Sequence, residues 1–299
     1  MAQTSVNMAD HILPKLAEMA WGKLISQLKF VPQLSRWNNP QPGGNANSWR
    51  VPKVAGGSAK TRAPGAGVTF EDRTASYVEI TAQQFYDAFI TDESYESSTG
   101  IEYFAALLDT AVLNIVEKIE AYAAEQIALQ LGIGSVGTHG VPVTRANLQT
   151  ARLSFINNKI PTGNLKAFVS GETLVDLTDI TEYARFDAVG AVPRNAYREG
   201  LVDRVGGFEI LESPYVYSPA AGQHTNLLFD PGQIMYIFPA QKPISKSATV
   251  KAEFEREGVR LYILEEQTFG YNGGTAYTVS TNFGIKAIRT EGVIKLLGR

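Results

Sequence analysis

One stretch of uninterrupted helical pattern constrains this chain more than any other feature. From Thr99 to Gly132 the sequence reads TGIEYFAALLDTAVLNIVEKIEAYAAEQIALQLG, with no proline and no glycine between Gly100 and Gly132. Large apolar residues recur at Ile101, Phe104, Leu108, Val112, Ile115, Ile119 and Tyr122. Steps of three and four place them on one helical face. Thr99 and Glu102 have the spacing of a capping box, and Gly132 stands where a left-handed stop belongs. At 1.5 Å per residue the predicted rod is roughly 45 Å long, about three times the usual helix. A helix of that length acts as a strut on which smaller elements are hung.

The chain in front of the strut divides into two parts. MADHILPKLAEMAWGKLISQL, residues 8–28, has an amphipathic pattern with Ile12, Leu16, Met19, Ala20 and Leu24 on one face, and Asp10 and Pro14 suit its start. It predicts a helix that either docks on its own domain or reaches a partner. FVPQLSRWNNPQPGGNAN then reads as a linker. SWRVPKV and VTFEDRTASYVEI, joined by AGGSAKTRAPGAG, predict a long hairpin with a flexible tip. A hairpin of that reach cannot bury itself alone.

Charge separates the hairpin from the strut. Between Arg50 and Gly67 the charged residues are Arg50, Lys53, Lys60 and Arg62, with no acid. Between Asp92 and Leu131 the acids are Asp92, Glu93, Glu96, Glu102, Asp109, Glu117, Glu120 and Glu125, against Lys118 alone. Such runs are commonly solvated faces. The other reading is that one subunit's basic hairpin lies over another's acidic strut, with Arg50, Lys53, Lys60 and Arg62 meeting Glu93, Glu96 and Glu102.

Beyond the strut, a loop GIGSVGTHGVPV precedes a helix TRANLQTARLSFINN, a buried-type strand LKAFVSG and a helix ETLVDLTDI. Strand pieces follow in GGFEILESPYV and NLLFDPGQIMYIFPA. This alternation predicts a small α/β lobe over about 135–247. The remainder, GVRLYILEEQTFG, TAYTVSTNFGIKAI and GVIKLL, is strand by pattern and is expected to return to the strut.

Catalytic signatures are missing from the sequence. Gly132, Gly134 and Gly137 spell G-x-G-x-x-G, but they follow a helix C-terminus instead of a strand, where the dipole repels phosphate. Cysteine is absent and the three histidines, His11, His139 and His224, are not bracketed by other ligands. No P-loop, G-x-S-x-G, H-E-x-x-H or EF-hand spacing occurs. No enzymatic activity, cofactor or metal is expected. Lys53 and Lys60 read as soluble lysines and not as donors of a cross-link. No apolar run reaches membrane-spanning length and the N-terminal residues lack a secretory pattern. With a net charge of −3 over 299 residues there is no general basic field for nucleic acid.

Arm, hairpin, strut, inserted lobe and returning strands, taken in that order, resemble the tailed-phage major capsid proteins of the Hong Kong 97 type. A local stretch adds to this: Ala196, Tyr197, Arg198 and Gly200, then Arg204, Val205, Gly207 and Phe208, then Ser213 and Pro214, is similar to the A-domain of short-tailed Salmonella-phage-type coats. Their extra inserted domain has no room here. The resemblance implies an α+β fold with an N-terminal arm (1–47), an extended E-loop hairpin (48–91), a P-domain of spine helix and antiparallel strands (92–134 and 248–299) and an α/β A-domain (135–247). It places Ala196, Tyr197, Arg198, Gly200, Arg204, Gly207 and Phe208 near a capsomer centre. It implies a homo-oligomer of pentamers and hexamers in an icosahedral virion shell, assembled in a bacterial cytoplasm and enclosing DNA without sequence-specific binding. Expected partners are a portal protein, a separate scaffolding protein, because the chain starts at the arm, and decoration proteins. An encapsulin-like nanocompartment shell and a soluble α/β enzyme are the alternatives.

Overall fold

The computed structural model describes residues 28–38, 41–42, 47–54, 61–62, 64–65, 67–68, 70, 75–91, 100–180, 204–239, 249–256, 259–267 and 275–299. In chain order the first strands are β1 (Ser35–Arg36), β2 (Gln41–Pro42), β3 (Ser48–Val54), β4 (Ala75–Thr81) and β5 (Gln83–Thr91). The strut is α1 (Gly100–Leu129), as its periodicity predicts. After it come β6 (Gly134–Gly137), α2 (Arg145–Asn157), β7 (Lys166–Val169) and α3 (Gly171–Asp179). Next are β8 (Arg204–Val205), β9 (Phe208–Glu212), β10 (Tyr217–Ala220), β11 (Gln223–Phe229) and β12 (Ile234–Ile237). The last group is β13 (Thr249–Arg256), β14 (Val259–Gln267), β15 (Thr275–Ala287) and β16 (Val293–Gly298).

α1 buries the middle of the stripe read from the sequence; Tyr122 is half-buried, and the Ile101 and Phe104 side chains lie outside the described residues. Leu108, Val112, Ile115 and Ile119 are buried, and Ala111, Val116, Ala123, Ala124, Ile127 and Ala128 widen the face. This face packs on a sheet ordered β1-β12-β15-β14-β13, with β5 also paired to β15. Every second residue of a strand points the same way, so Val279, Phe283, Ile285 and Ala287 of β15 join Leu261 and Ile263 of β14 beneath the helix. The expected return of the C-terminal strands to the strut therefore holds for β14 and β15. Thr99 and the Glu102 side chain, the expected capping box, lie outside the described residues. Gly132 does take the left-handed conformation, at φ +83°.

The hairpin forms where expected. β3 and β4 pair antiparallel from Ser48 opposite Thr81 to Val54 opposite Ala75, and β2 adds a third strand. The arm ends at Thr81, however. β5, expected within the hairpin segment, pairs with β15 across its whole length and belongs to the strut's sheet.

Three other expectations are corrected. The supposed linker after residue 28 is core: Leu28, Phe30, Val31 and Leu34 are buried against α1, and Pro32 opens a 3-10 turn over Val31–Gln33. β12, expected in the lobe, pairs with β15 instead. β16, expected beside the strut, is inserted between β11 and β6 of the lobe's sheet, which runs β6-β16-β11-β7-β9-β8 with β10 on β11. Its Ile294 and Leu296 enter a second core with Leu148, Phe155, Val169 and Leu228. Each sheet thus takes a strand from the other's stretch of sequence, because pairing is decided by non-local burial rather than by chain order.

The glycine fingerprint also resolves. Gly134 and Gly137 lie in β6, parallel to β16, and not in a loop. A Cβ on Gly137 would stand 2.4 Å from the Leu297 carbonyl oxygen, at a φ of +89°. Substitution Gly137→Ala combines that clash with a left-handed backbone penalty. It is expected to lower unfolding free energy by about 2 kcal/mol or more, read as a shift in the denaturant midpoint.

Candidate functional site

The surfaces of interest are the hairpin, the outer face of α1, and the turn between β8 and β9. On the hairpin, register sets Arg50 opposite Glu79. The Arg50 Nε donates to Glu79 Oε1 at 3.1 Å. The acid that balances this part of the basic run is thus across the ladder and not in sequence reach. Both side chains are more than two-fifths exposed, at 45% and 42%, and water screens such pairs. A double-mutant cycle on Arg50 and Glu79 should return a coupling below about 1 kcal/mol, measured by chemical denaturation.

Lys53 is half-buried and its carbonyl oxygen accepts from the Ser76 hydroxyl. Arg62 is exposed. Lys60, Glu93 and Glu96 lie outside the described residues, as does the Glu102 side chain. Large apolar side chains also stand out from the arm: Phe70 is 93% exposed, Val68 60% and Tyr77 57%.

The outer face of α1 carries a shallow cleft between the helix and β5, lined by Tyr86, Asp87, Asn114, Glu117, Lys118 and Tyr215. The Asn114 amide nitrogen donates to Asp87 Oδ2 at 2.7 Å and ties the strand to the helix. Burial, together with a hydrogen bond to Glu117, pushes the Tyr215 hydroxyl above its ordinary pKa. The phenol therefore stays protonated as a donor to that carboxylate. A neighbouring cleft continues past Glu117 to Lys29 and Glu120.

Glu120 departs most from the sequence reading, which grouped it with the solvated acids. It is 1% exposed. Its carboxylate accepts from three consecutive backbone amides: Lys29 N–H at 3.0 Å, Phe30 N–H at 3.1 and 3.0 Å, and Val31 N–H at 3.2 Å. Burial pushes its carboxyl pKa up, against the three amides and the Lys29 charge, which pull it down. A signal for this was present: Glu120 continues the row Leu108, Val112, Val116, Ala124, Ala128, all of which are buried. Its partners are main-chain groups, which leave no mark in a sequence.

In the lobe, the motif Arg204-Val205-x-Gly207-Phe208 is the tight turn from β8 to β9. Gly207 has φ +94°, and a Cβ there would lie 3.1 Å from Arg152 Cζ. Arg204 donates to the Gly163 carbonyl oxygen at 3.2 Å, and Phe208 is buried against Phe155. These residue types are accounted for by the turn and the core. Ala196, Tyr197, Arg198 and Gly200 lie outside the described residues. Among the described residues no His, Asp and Glu gather as a metal site.

No protein-family model and no curated protein matches the sequence. Solved structures do match in fold. A chain of Mycobacterium phage Che8 superposes with a TM-score of 0.59 at 14% identity, over 88% of this chain and 93% of that one. The capsid of a native GTA particle gives 0.58 at 11% identity, covering 91% and 90%. A virus-like particle from Pyrococcus furiosus gives 0.52 at 12% identity, covering 94% and 97%. The fold is therefore α+β and of the Hong Kong 97 capsid type. The likeness spans 88–91% of this chain.

Proposed function

We propose that this chain is a shell-forming subunit, the major coat protein of a tailed double-stranded-DNA phage. The observation that carries the reading is the fold joined to an arm that its own body does not cover: Phe70 at 93% exposed and Val68 at 60%. Apolar groups so placed on an extended hairpin suit burial against another copy. Residues before Leu28 act as the N-terminal arm, the hairpin as the E-loop, α1 with its sheet and the strap at 28–37 as the P-domain, and the lobe as the A-domain at the centre of pentamers and hexamers. Arg50, Lys53, Lys60 and Arg62 of one copy face Glu93, Glu96 and Glu102 of the next. The turn at Arg204, Gly207 and Phe208, with Ala196, Tyr197, Arg198 and Gly200, lies towards the capsomer axis. Single contacts of this kind are weak, and closed rings make them cooperative.

A portal protein at one vertex, a separate scaffolding protein and decoration proteins complete the particle, which forms in the host bacterial cytoplasm. The net charge of −3 suits a container whose inner wall must not hold the genome through phosphate contacts. The relation to short-tailed Salmonella-phage-type coats is part of this proposal. The likeness to the Pyrococcus furiosus particle favours a second reading, an encapsulin-like compartment. The chain's role is structural in both.

Negative-stain electron microscopy of the purified chain tests the proposal. Closed, uniform particles are expected. A stable monomer at every concentration would overturn both shell readings and return the soluble-enzyme alternative. Particles produced with the neighbouring genes and filled with protein instead of DNA would select the compartment.

A further inference from the structure

Residues 28–37 form a strap that joins three parts of the body. Phe30 packs on Phe168 and Phe229 of the lobe's sheet, with ring centroids 4.5 and 5.4 Å away. The Lys166 ammonium, largely buried, donates to Gln33 Oε1 at 2.6 Å and meets Glu209 at 3.1 Å. β1 runs parallel to β12 in the strut's sheet, and Trp37 N–H donates to the Tyr236 carbonyl oxygen. On α1 the strap has two kinds of contact: Leu28, Phe30, Val31 and Leu34 share the helix's apolar core, and the Glu120 carboxylate gathers three of the strap's amides.

We propose that Glu120 sets where the N-terminal arm leaves the subunit, holding the amides of residues 29–31 on α1 as a clasp that opens without unfolding the body. The chemistry of the contact supports this. An apolar residue at 120 would add its own lost burial to that of Phe30 and Val31 when the strap lifts, whereas a carboxylate recovers hydration. The cleft at this point, lined by Lys29, Val116, Glu117, Ser213, Pro214 and Tyr215, gives water a way in. Closed, the carboxylate satisfies three donors; open, it is solvated. Both states leave the carboxylate's charge compensated, so the cost of opening is the lost burial of Phe30 and Val31 and not that of the charge. The charged and titratable groups facing it are Lys29 from the strap, Glu117 one turn earlier on α1 and Tyr215 beyond the cleft. Because three adjacent amides are held at once, the backbone direction at residue 29 is fixed, and residues before Leu28 start from that fixed point.

The clasp itself stands on this geometry, while its consequence for assembly rests on the shell reading above. Hydrogen exchange read residue by residue on disassembled subunits tests the clasp. In the unaltered chain, amides 29–31 are expected to exchange through an opening of their own, at least about tenfold faster than the β11 and β16 amides. Glu120→Ala should raise exchange at 29–31 by a further tenfold or so while β11 and β16 keep their protection. Glu120→Gln, which retains one acceptor oxygen, should fall between. Unchanged exchange at 29–31 in Glu120→Ala, or exchange at 29–31 locked to that of β16 in every variant, would overturn the clasp. Electron microscopy of the same variants tests the arm: Glu120→Ala should give particles of broadened size. Wild-type particles from subunits that have lost protection at 29–31 would overturn the arm-setting role. Absence of particles from the unaltered chain would instead strike the shell reading, with the exchange result still deciding the clasp.

Discussion

Replacing Ile115 with aspartate is expected to leave no folded subunit. Ile115 is 1% exposed and sits mid-helix over the β14–β15 face, between Val112 and Ile119. The substitution removes a packed side chain, at about 2–5 kcal/mol. It also places a carboxylate at a position that is 1% exposed, a further several kcal/mol of lost hydration. The sum is comparable with the whole stability of an ordinary domain, about 5–15 kcal/mol. Glu120, five residues further along α1 in the neighbouring buried row, shows what a carboxylate needs in order to be buried on this helix: three amides aimed at it. At 115 the buried neighbours are apolar side chains, and the polar groups of the cleft that Ile115 borders, Asn114 and Lys118 among them, are side chains and not main-chain amides of the kind that hold Glu120. Leu108→Asp should behave alike, for Leu108 is also 1% exposed. Leu113→Asp is the control: at 40% exposed on the outer face, it should change stability by less than about 1 kcal/mol. Circular dichroism and size-exclusion chromatography on the soluble fraction decide it. Soluble native protein from Ile115→Asp would mean that the helix presents another face to its sheet.

The difference between Ile115 and Glu120 also marks how far the sequence could be read. α1 was legible because its apolar residues repeat at helical spacing over many turns, a local signal. β3 and β4 were legible for a similar reason, as β-rich runs flanking a small-residue tip. What was not legible depends on partners distant in the chain. GVIKLL is a good strand wherever it pairs; that it enters the lobe's sheet follows from Ile294 and Leu296 fitting the core around Phe155 and Leu228. GSVG has little strand propensity, and β6 exists because β16 lies beside it with only a glycine's clearance at Gly137. Phe30, Val31 and Leu34 looked like punctuation between prolines, yet together they fill the space between α1 and the lobe. At the proposed interface the charge asymmetry was visible but the ladder was not, so Arg50 was counted without Glu79. The arm's exposed aromatics needed a structure to be noticed, since a phenylalanine beside a strand is ordinarily core.

The Arg50–Glu79 pair leaves Lys53, Lys60 and Arg62 as the basic residues on which assembly would depend. Reversing Lys53, Lys60 and Arg62 together to glutamate is expected to raise the protein concentration at which shells form by at least about tenfold, with the free subunit still folded. Arg50 is left alone, because a glutamate there would face Glu79 across β3 and β4 and weaken the arm itself. Each exposed cross-subunit pair contributes about 0.2–1 kcal/mol, and reversal replaces attraction with a similar repulsion, so three changes together amount to about 1.2–6 kcal/mol, against the 1.4 kcal/mol that separates a factor of ten. Every subunit in a ring both gives an arm and receives one, so the loss recurs at each contact. Raised salt should weaken assembly of the unaltered chain in the same direction, since exposed charges more than about 10 Å apart are screened at 0.1 M. Phe70→Ser separates charge from burial. A 93% exposed phenylalanine contributes nothing to its own body, so the subunit's melting temperature should not move. Burying that ring on a neighbour would supply about 1.5–3 kcal/mol, more than any one of the charges, and its removal should suppress assembly at least as strongly as the triple reversal. Light scattering against protein concentration reads both. If the triple variant assembles at the wild-type concentration while Phe70→Ser does not, the hairpin is held by its apolar end and the basic run is solvated surface. If both assemble normally, the hairpin does not bridge subunits.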